Sequence, residues 1–412
     1  MLRDFDAQDL ANTAWACATL GYENEPFMQA IASAARAKIP DFLPQNLSNT
    51  AWSFAVLELL DEPLMKSISE AARTHIQVFE MGGLKTVSPS HFAMDIGGIV
   101  WAFNFATVLE RDFCELVRGV VSKIGREMDR HQHGVQGACR DVQEGFVSIG
   151  VPYVQLDLQD RLVILKPPGW EVDTTDVGDA KRLSWYLQAL LECSIAHDSS
   201  HSYGFLHRLD TPSSGLILAA KTYEAFYDLK HQLSIGDLVR DYIVLCRGLV
   251  TPEVCEISGR VYHWRHEGNL PSTICRKGRP SRTCLKVIAH CARSGEEFSL
   301  VVIRIRTGRR HQIRIHTASI GHPTVCDGKY TSPAEFLRDR AWCERNFLHR
   351  YRLAFADKQS KRHEAVVGLP ADLVHALQCL TPLTEQSAIA LDEWIAGRSL
   401  RDWLEYEALS DC

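Results

Sequence analysis

The sequence predicts two folds in one chain: an all-α solenoid over residues 1–125 and, after a linker at 126–150, an α+β domain with a largely antiparallel mixed sheet over 151–385. Three observations predict this. The phrase "QDLANTAWACATLGYENEPFMQAI" (residues 8–31) returns as "QNLSNTAWSFAVLELLDEPLMKSI" (residues 45–68), an offset of 37. Residues 126–150 turn rich in Gly, His and Gln. Beyond them helical spacing gives way to short β-rich runs bounded by Gly, Pro or Asp. At 412 residues the chain is also too long for one ordinary core, so two or three domains are expected.

In the first region each copy places apolar residues at helical spacing, then a break, then a second helix opened by Glu-Pro, where proline fits the first turn. A weaker third copy covers residues 91–110, with Trp101 in register and Gly98 where the others have Asn12 and Asn49. Helix pairs at a fixed period bury their faces only by stacking, which is the logic of an α-solenoid. Trp15, Trp52 and Trp101 recur on the apolar face and are expected in the core rather than against nucleobases. The phrase "QDLANTAWA" resembles the octotricopeptide-like repeats of organelle RNA-processing proteins, a resemblance that covers about the first 115 residues and implies RNA contact. Residues 1–130 carry 11 Lys/Arg against 17 Asp/Glu, which weighs against RNA. A protein partner, or support for the second domain, stays open.

The second region reads as strands at "RLVILKPPG" (161–169), "SGLILAAK" (214–221), "RDYIVLCRG" (240–248) and "EFSLVVIRIRTG" (297–308). Helix-like segments at 182–193 and 223–233 lie between them without a βαβ rhythm, hence α+β. Residues 386–412 are expected to form a helical C-terminal tail.

Bulk composition excludes several classes. The 46% hydrophobic and 23% charged content is that of a soluble globular protein, and no membrane association is expected. "IGGIVWAFNFATVL" (96–109) is too short for a membrane span. The opening residues lack signal or transit character. Thirteen cysteines, none in a C-x-x-C, suit reduced thiols in an intracellular protein; mitochondrion, chloroplast and cytoplasm stay open. His131 and His133 read as linker, not as metal ligands. Residues 276–316 hold 11 Lys/Arg against two acids, which is how a nucleic-acid groove would appear in sequence, though a solvated basic loop has the same charge count.

The stretch "GFLHRLDTPSSGLILAAKT" (204–222) sets His207, Arg208 and Asp210 before a turn and an apolar strand. A surface ion pair is one account; a carboxylate held ready for chemistry is the other. "HRLDTPSSGLILAAK" resembles the RluA-type pseudouridine synthase phrase H-R-L-D-x-x-T-S-G-L-L-L-x-A-K. Four further blocks follow the family's order: "DRLVILKPPG" (160–169), "VRDYIVLCRG" (239–248), "TGRRHQIRIHTASIGHPTVCDGKY" (307–330), and "FLHRYRLAF" (347–355), which resembles L-H-A-x-x-L-x-F. The resemblance spans residues 150–380 and implies the pseudouridine synthase fold and the isomerisation of uridine in structured RNA, ribosomal or transfer.

The chemistry needs a carboxylate that attacks or stabilises the sugar carbon, and the resemblance gives that role to Asp210. Arg314 is implied as the cation that keeps Asp210 ionised, and Tyr242 as the aromatic that lies against the base and accepts a sugar proton. Arg208 is expected to fill the place of the flipped nucleotide, with His207 ordering the turn at the RNA contact. Arg309, Arg310 and His311 are candidates for phosphate contacts. Lys166, Pro167 and Gly169 are expected to shape the sheet beneath the pocket. The reaction involves no redox change, and no cofactor or metal is expected. Departures from the family phrases are Ser213-Ser214 for Thr-Ser, Val172-Asp173-Thr174 for Val-His-Pro, and Cys326 for glycine. The alternative function is a catalytically silent RNA-binding or assembly protein that works through its helical repeats. The expected partner is RNA, with a possible protein partner for the repeats, and a monomer is favoured.

Overall fold

A computed structural model describes residues 2–82, 87–131, 150–172, 181–264 and 270–409. The chain opens with α1 (Ala7–Leu20), α2 (Glu25–Lys38), α3 (Pro44–Leu57), α4 (Glu62–Glu80), α5 (Pro89–Phe105) and α6 (Arg111–His131). It continues through β1 (Tyr153–Asp157), β2 (Arg161–Lys166), β3 (Trp170–Glu171), β4 (Lys181–Arg182), α7 (Leu183–Leu190), β5 (Ser214–Ala220) and α8 (Tyr223–Ile235). Then come β6 (Val239–Arg247), β7 (Glu256–Tyr262), β8 (Thr273–Ile274), β9 (Arg279–Arg293), β10 (Glu296–Ile305), α9 (Gln312–Ser319) and α10 (Pro333–Arg340). β11 (Leu348–Ala356), β12 (Arg362–Val366), α11 (Ala371–Gln378), β13 (Thr381–Pro382) and α12 (Glu385–Ile395) complete it. Two units result. One comprises Met1–Gly134, Thr222–Asp237 and Arg276–Gly278; the other comprises Val135–Lys221, Leu238–Cys275 and Arg279–Cys412.

In the helical unit the repeat phrase supplies its own start signals. Asn24 and Asp61 accept from Phe27 N (3.0 Å) and Leu64 N (2.8 Å), capping α2 and α4 one residue before each Glu-Pro. α1 packs on α3 and α3 on α5 through Leu10, Ala14 and Ala18, then Leu47, Ala51 and Phe54, then Phe92, Ile96 and Val100. Gly98 replaces the repeat asparagine because a Cβ there would sit 2.4 Å from Ser48 Oγ. The tryptophans depart from expectation: Trp15 is 45% exposed, and Trp52 and Trp101 are half-buried. Small alanines fill the inward positions, so the bulky ring of each repeat is turned out of the seam.

α8 also departs from expectation. Its place in the sequence puts it within the α+β domain, yet it belongs to the helical unit, where it packs on α5 and α6. Asp129 of α6 accepts from Tyr223 N (2.8 Å) and Glu224 N (3.1 Å), capping the α8 N-terminus. Arg126 and Arg118 pair with Glu224 (2.7 Å) and Asp228 (3.3 Å). A Cβ on Gly125 would lie 2.4 Å from Glu224 Cα, so glycine permits this approach. α6 runs through Arg126 to His131, which shortens the expected linker. Gln132 and His133, and Asp173 and Thr174, lie outside the described residues.

The second unit is built on an eleven-stranded sheet in the order β1-β2-β5-β11-β6-β10-β9-β7-β8, with β12 on β11 and β13 on β9. The described pairings are antiparallel except β5 with β11 in this sheet, and β3 with β4 apart from it. Both faces are covered, and alternation along β6 sorts them. Tyr242, Val244 and Cys246 face one core with Ile217, Leu209 and Ile313; Ile243 and Leu245 face the other with Trp342, Tyr351 and Trp394. The expected C-terminal tail is part of this unit. Trp394 and Tyr406 are 1% and 2% exposed in the second core, and Leu409 N donates to Val287 O (2.8 Å). The segment stays against the sheet because leaving it would expose Leu391, Trp394 and Tyr406.

Candidate active site

The site begins at the turn before β5, where Ser213 N donates to Asp210 O (3.0 Å) and closes the loop that carries the carboxylate. Lys166 braces that turn from below. Its fully buried Nζ donates to Pro167 O (3.0 Å), Trp170 O (2.9 Å) and Thr211 O (3.3 Å), while Gly169 N donates to Thr211 O (2.8 Å). Burial pulls the Lys166 pKa down to about 7. The glycine of the Ser-Ser-Gly phrase, Gly215, has φ 128, and a Cβ on it would meet Arg350 O at 2.4 Å. The strand that follows Asp210 therefore lies against β11 only because this position lacks a side chain.

The block "TGRRHQIRIH" folds into a loop and α9. Gln312 Oε1 accepts from Thr307 Oγ1 (2.8 Å) and Arg309 N (3.0 Å), and its Nε2 donates to Arg282 O (3.1 Å). His316 meets Thr283 Oγ1 (2.9 Å) and Ser281 Oγ (3.1 Å), which anchors the other end of the helix to β9. These residues aim Arg314. Its Nη1 donates to Asp210 Oδ2 (3.0 Å), and its Nε and Nη2 fork onto Asp327 (2.7 and 2.6 Å). Asp327 is fully buried and also accepts from Thr324 Oγ1 (3.0 Å) and Lys329 N (3.0 Å). Asp327 thus fixes the guanidinium, and the guanidinium fixes Asp210, whose side chain is 18% exposed.

Burial alone would raise the Asp210 carboxyl; the His311 ring, the Arg314 guanidinium and Arg208 outweigh it and hold the carboxyl below its ordinary value. Arg314 moves the other way. Burial is opposed by Asp327 and Asp210, and its pKa rises. The carboxylate is ionised and oriented at neutral pH. Such a carboxylate can attack or stabilise an electron-poor carbon.

Tyr242, on β6, is 3% exposed and stands opposite Arg350 of β11 in the sheet register. Arg350 Nη2 donates to Tyr242 Oη, and the Arg350 Cζ lies 4.9 Å from the Tyr242 ring centre. Arg350 Nη1 meets His207 Nδ1 (2.7 Å) and Nη2 reaches Arg208 O (3.3 Å), so the tyrosine is tied to the segment that carries Asp210. The sequence reading missed Arg350 and Asp327. Arg350 was visible as the arginine at the alanine place of L-H-A-x-x-L-x-F, and Asp327 as the aspartate of "CDGKY". At Cys326 the backbone takes φ 56, which a glycine adopts freely, and Cys326 N is held by Asp339 Oδ2 (2.8 Å).

Of the residues expected at RNA, Arg208 is exposed, and Arg309 and Arg310 are half-buried at the loop before α9. Arg309 Nη2 lies 3.4 Å from Pro280 O, and Arg310 Nη1 is 2.8 Å from His263 Nε2. His207 and His311 sit deeper than expected. His311 is 6% exposed with Nδ1 3.0 Å from Tyr330 Oη, and burial brings its pKa down to about 4. Burial, with Arg350 and Arg240, pushes His207 well below its usual range. Neither imidazole carries charge to a phosphate at neutral pH; they line and order the site.

A family model described as RNA pseudouridylate synthase matches residues 160–319. The ribosomal large subunit pseudouridine synthase D of Nitrosomonas europaea is 31% identical over 242 residues, 58% of this chain and 68% of that protein. An uncharacterized RNA pseudouridine synthase of Mycobacterium bovis is 33% identical over 179 residues, 43% of this chain and 56% of that protein. Among solved structures, human RNA pseudouridylate synthase domain containing 1 aligns with a TM-score of 0.45 at 24% identity, over 60% of this chain and 96% of that one. The chain belongs to the RNA pseudouridine synthases, a family of isomerases. It spans little more than half the length of several of these relatives.

Proposed function

We propose that this chain converts uridine to pseudouridine in a structured RNA, with Asp210 as the group that receives the sugar carbon. The target nucleotide leaves its stack, because neither C1′ nor N1 is reachable inside a helix. Exposed Arg208 takes the vacated place, and Arg309 and Arg310 hold flanking phosphates. The N1–C1′ bond then breaks with its electron pair passing to the base. Ionised Asp210 stabilises or bonds C1′, the freed base turns, and C5 attacks C1′ and releases it from Asp210, after which the C5 proton leaves and N1 takes one up. Tyr242, against the base, is the polar group placed to pass a proton in this sequence. Relatives whose names include the large ribosomal subunit favour ribosomal RNA over transfer RNA.

The observation that carries the reading is the Asp210–Arg314 pair at 3.0 Å, with the acid partly open and the guanidinium fixed from behind by Asp327. The test is Asp210→Asn. Pseudouridine formed on cellular RNA by the wild-type protein should fall below detection in the variant, while RNA affinity stays within about threefold, since only a group acting on the sugar carbon is lost. Turnover unchanged from wild type would overturn the assignment.

A further inference from the structure

Arg350 is 1% exposed, yet its hydrogen bonds go to Leu216 O (2.9 Å), Arg208 O (3.3 Å), His207 Nδ1 (2.7 Å) and Tyr242 Oη. None of these acceptors is an acid, and its Nε has no partner. Among the described residues no carboxylate pairs with it. Arg240, 4% exposed on β6, adds a second buried guanidinium close enough to weaken the basicity of His207 alongside Arg350. The site is therefore asymmetric. On the Asp210 side, one guanidinium serves two carboxylates; on the Tyr242 side, buried cations have no counter-ion among the described residues. An enclosed charge without a partner is strongly unfavourable in the resting protein. Its retention beside Tyr242 makes sense where negative charge appears during reaction.

We infer that Arg350 is a positioning residue that acts through Tyr242 to stabilise the negative charge the uracil ring carries between leaving C1′ and rejoining through C5. This rests on the reading of the site as a pseudouridine synthase. When the N1–C1′ bond breaks, the base keeps the electron pair and is an anion until C5 spends a pair on the C5–C1′ bond; the C5 proton then leaves and N1 takes one up. Arg350 donates into the phenolic oxygen, which leaves the phenol proton free for another acceptor and polarises the O–H. A phenol so polarised, lying against the base, is a strong donor to a ring carbonyl that is gaining charge. The planar fork also spans Tyr242 and the Arg208 carbonyl at once, so the tyrosine and the Asp210 loop hold a fixed geometry.

The experiment compares single-turnover rates of wild type, Arg350→Met and Arg350→Lys on one target RNA carrying uridine or 5-fluorouridine. The fluorine already withdraws charge from the departing base, so cleavage of that substrate leans less on Arg350. N1–C1′ cleavage is read as loss of the intact nucleoside after digestion. Arg350→Met should lose about 100-fold in rate on uridine with substrate affinity near wild type. On 5-fluorouridine its loss should be at least tenfold smaller, and Arg350→Lys should fall between, as a point charge without the fork. Equal losses on the two substrates, or a wild-type rate in Arg350→Met, would overturn the inference. If Arg350→Met does not fold, Arg350→Lys and Tyr242→Phe carry the same comparison, and equal losses there overturn it too. Wild-type protein that forms no pseudouridine on any RNA would instead sink the function itself.

Discussion

Asp210 and Asp327 share a single guanidinium, and that sharing sets how the site responds to acid. Asp210 has its folded-state pKa below the ordinary carboxylate value. Its ionised form, and the stability tied to it, is complete above the unfolded value near 4 and is lost only as pH falls through the lower folded value. The single-turnover rate should therefore show no acid limb between pH ~7 and ~4 from this group. Arg314→Lys replaces a three-donor fork with one ammonium for two carboxylates, so the Asp210 limb should move up into or above the ordinary range. Rates measured from pH ~4 to ~8 for both proteins test this, and superimposable acid limbs would refute it. His311 adds no limb near pH ~6, because burial already holds it neutral there with its pKa at about 4.

At the scale of elements, the two glycines of α6 make opposite predictions from one helix. A Cβ on Gly119 would meet nothing within 4 Å, so Gly119→Ala gains helix propensity alone, about 0.8–1 kcal/mol. Gly125 faces the α8 backbone, where an added Cβ would come 2.4 Å from Glu224 Cα, so Gly125→Ala forces the helices apart at a cost of about 1–3 kcal/mol despite the same propensity gain. Urea midpoints of the two variants should move in opposite directions, and a shift of the same sign in both would contradict the packing. The sequence placed most of α6 in the helical region but not against its partner, because periodicity shows that a face is buried and never against what. The same limit hid Arg350, whose partners arrive from β5 and β6 through pairings far apart in the chain. Local signals were legible: the Glu-Pro helix starts, the turn at Asp210, and the "TGRRHQIRIH" block with its buried arginine. Trp15 escaped the pattern because alanines, not the ring, carry the α1 seam.

At the scale of the whole molecule, the boundary between repeats and synthase does not coincide with any single cut in the sequence. Residues 222–237 come after the Asp210 motif yet belong to the helical unit. Within that unit α8 buries Phe226, Tyr227 and Leu229, its Asp228 and Glu224 pair with Arg118 and Arg126 of α6, and Asp129 of α6 accepts from its first amides. A truncated chain of residues 135–412 keeps α8 but strips away α5 and α6, exposing apolar side chains that α8 buries against them, such as Tyr227 beside Met128. Burial of each such side chain is worth roughly 1.5–3 kcal/mol, so the truncated protein should bind a hydrophobic dye, melt earlier than the full chain and aggregate as it melts. The reciprocal fragment, 1–134, lacks the amides that Asp129 caps and the partners of Arg118 and Arg126, and a peptide of residues 222–237 added to it should raise its melting temperature. Dye binding equal to the full chain, together with a fragment indifferent to the peptide, would show that α8 needs no repeat helices. If instead both effects appear, lost activity on deleting the repeats cannot be read as lost targeting. The cleaner probe of targeting leaves α5 and α6 intact and substitutes exposed side chains such as Trp15, whose removal disturbs no helix seam.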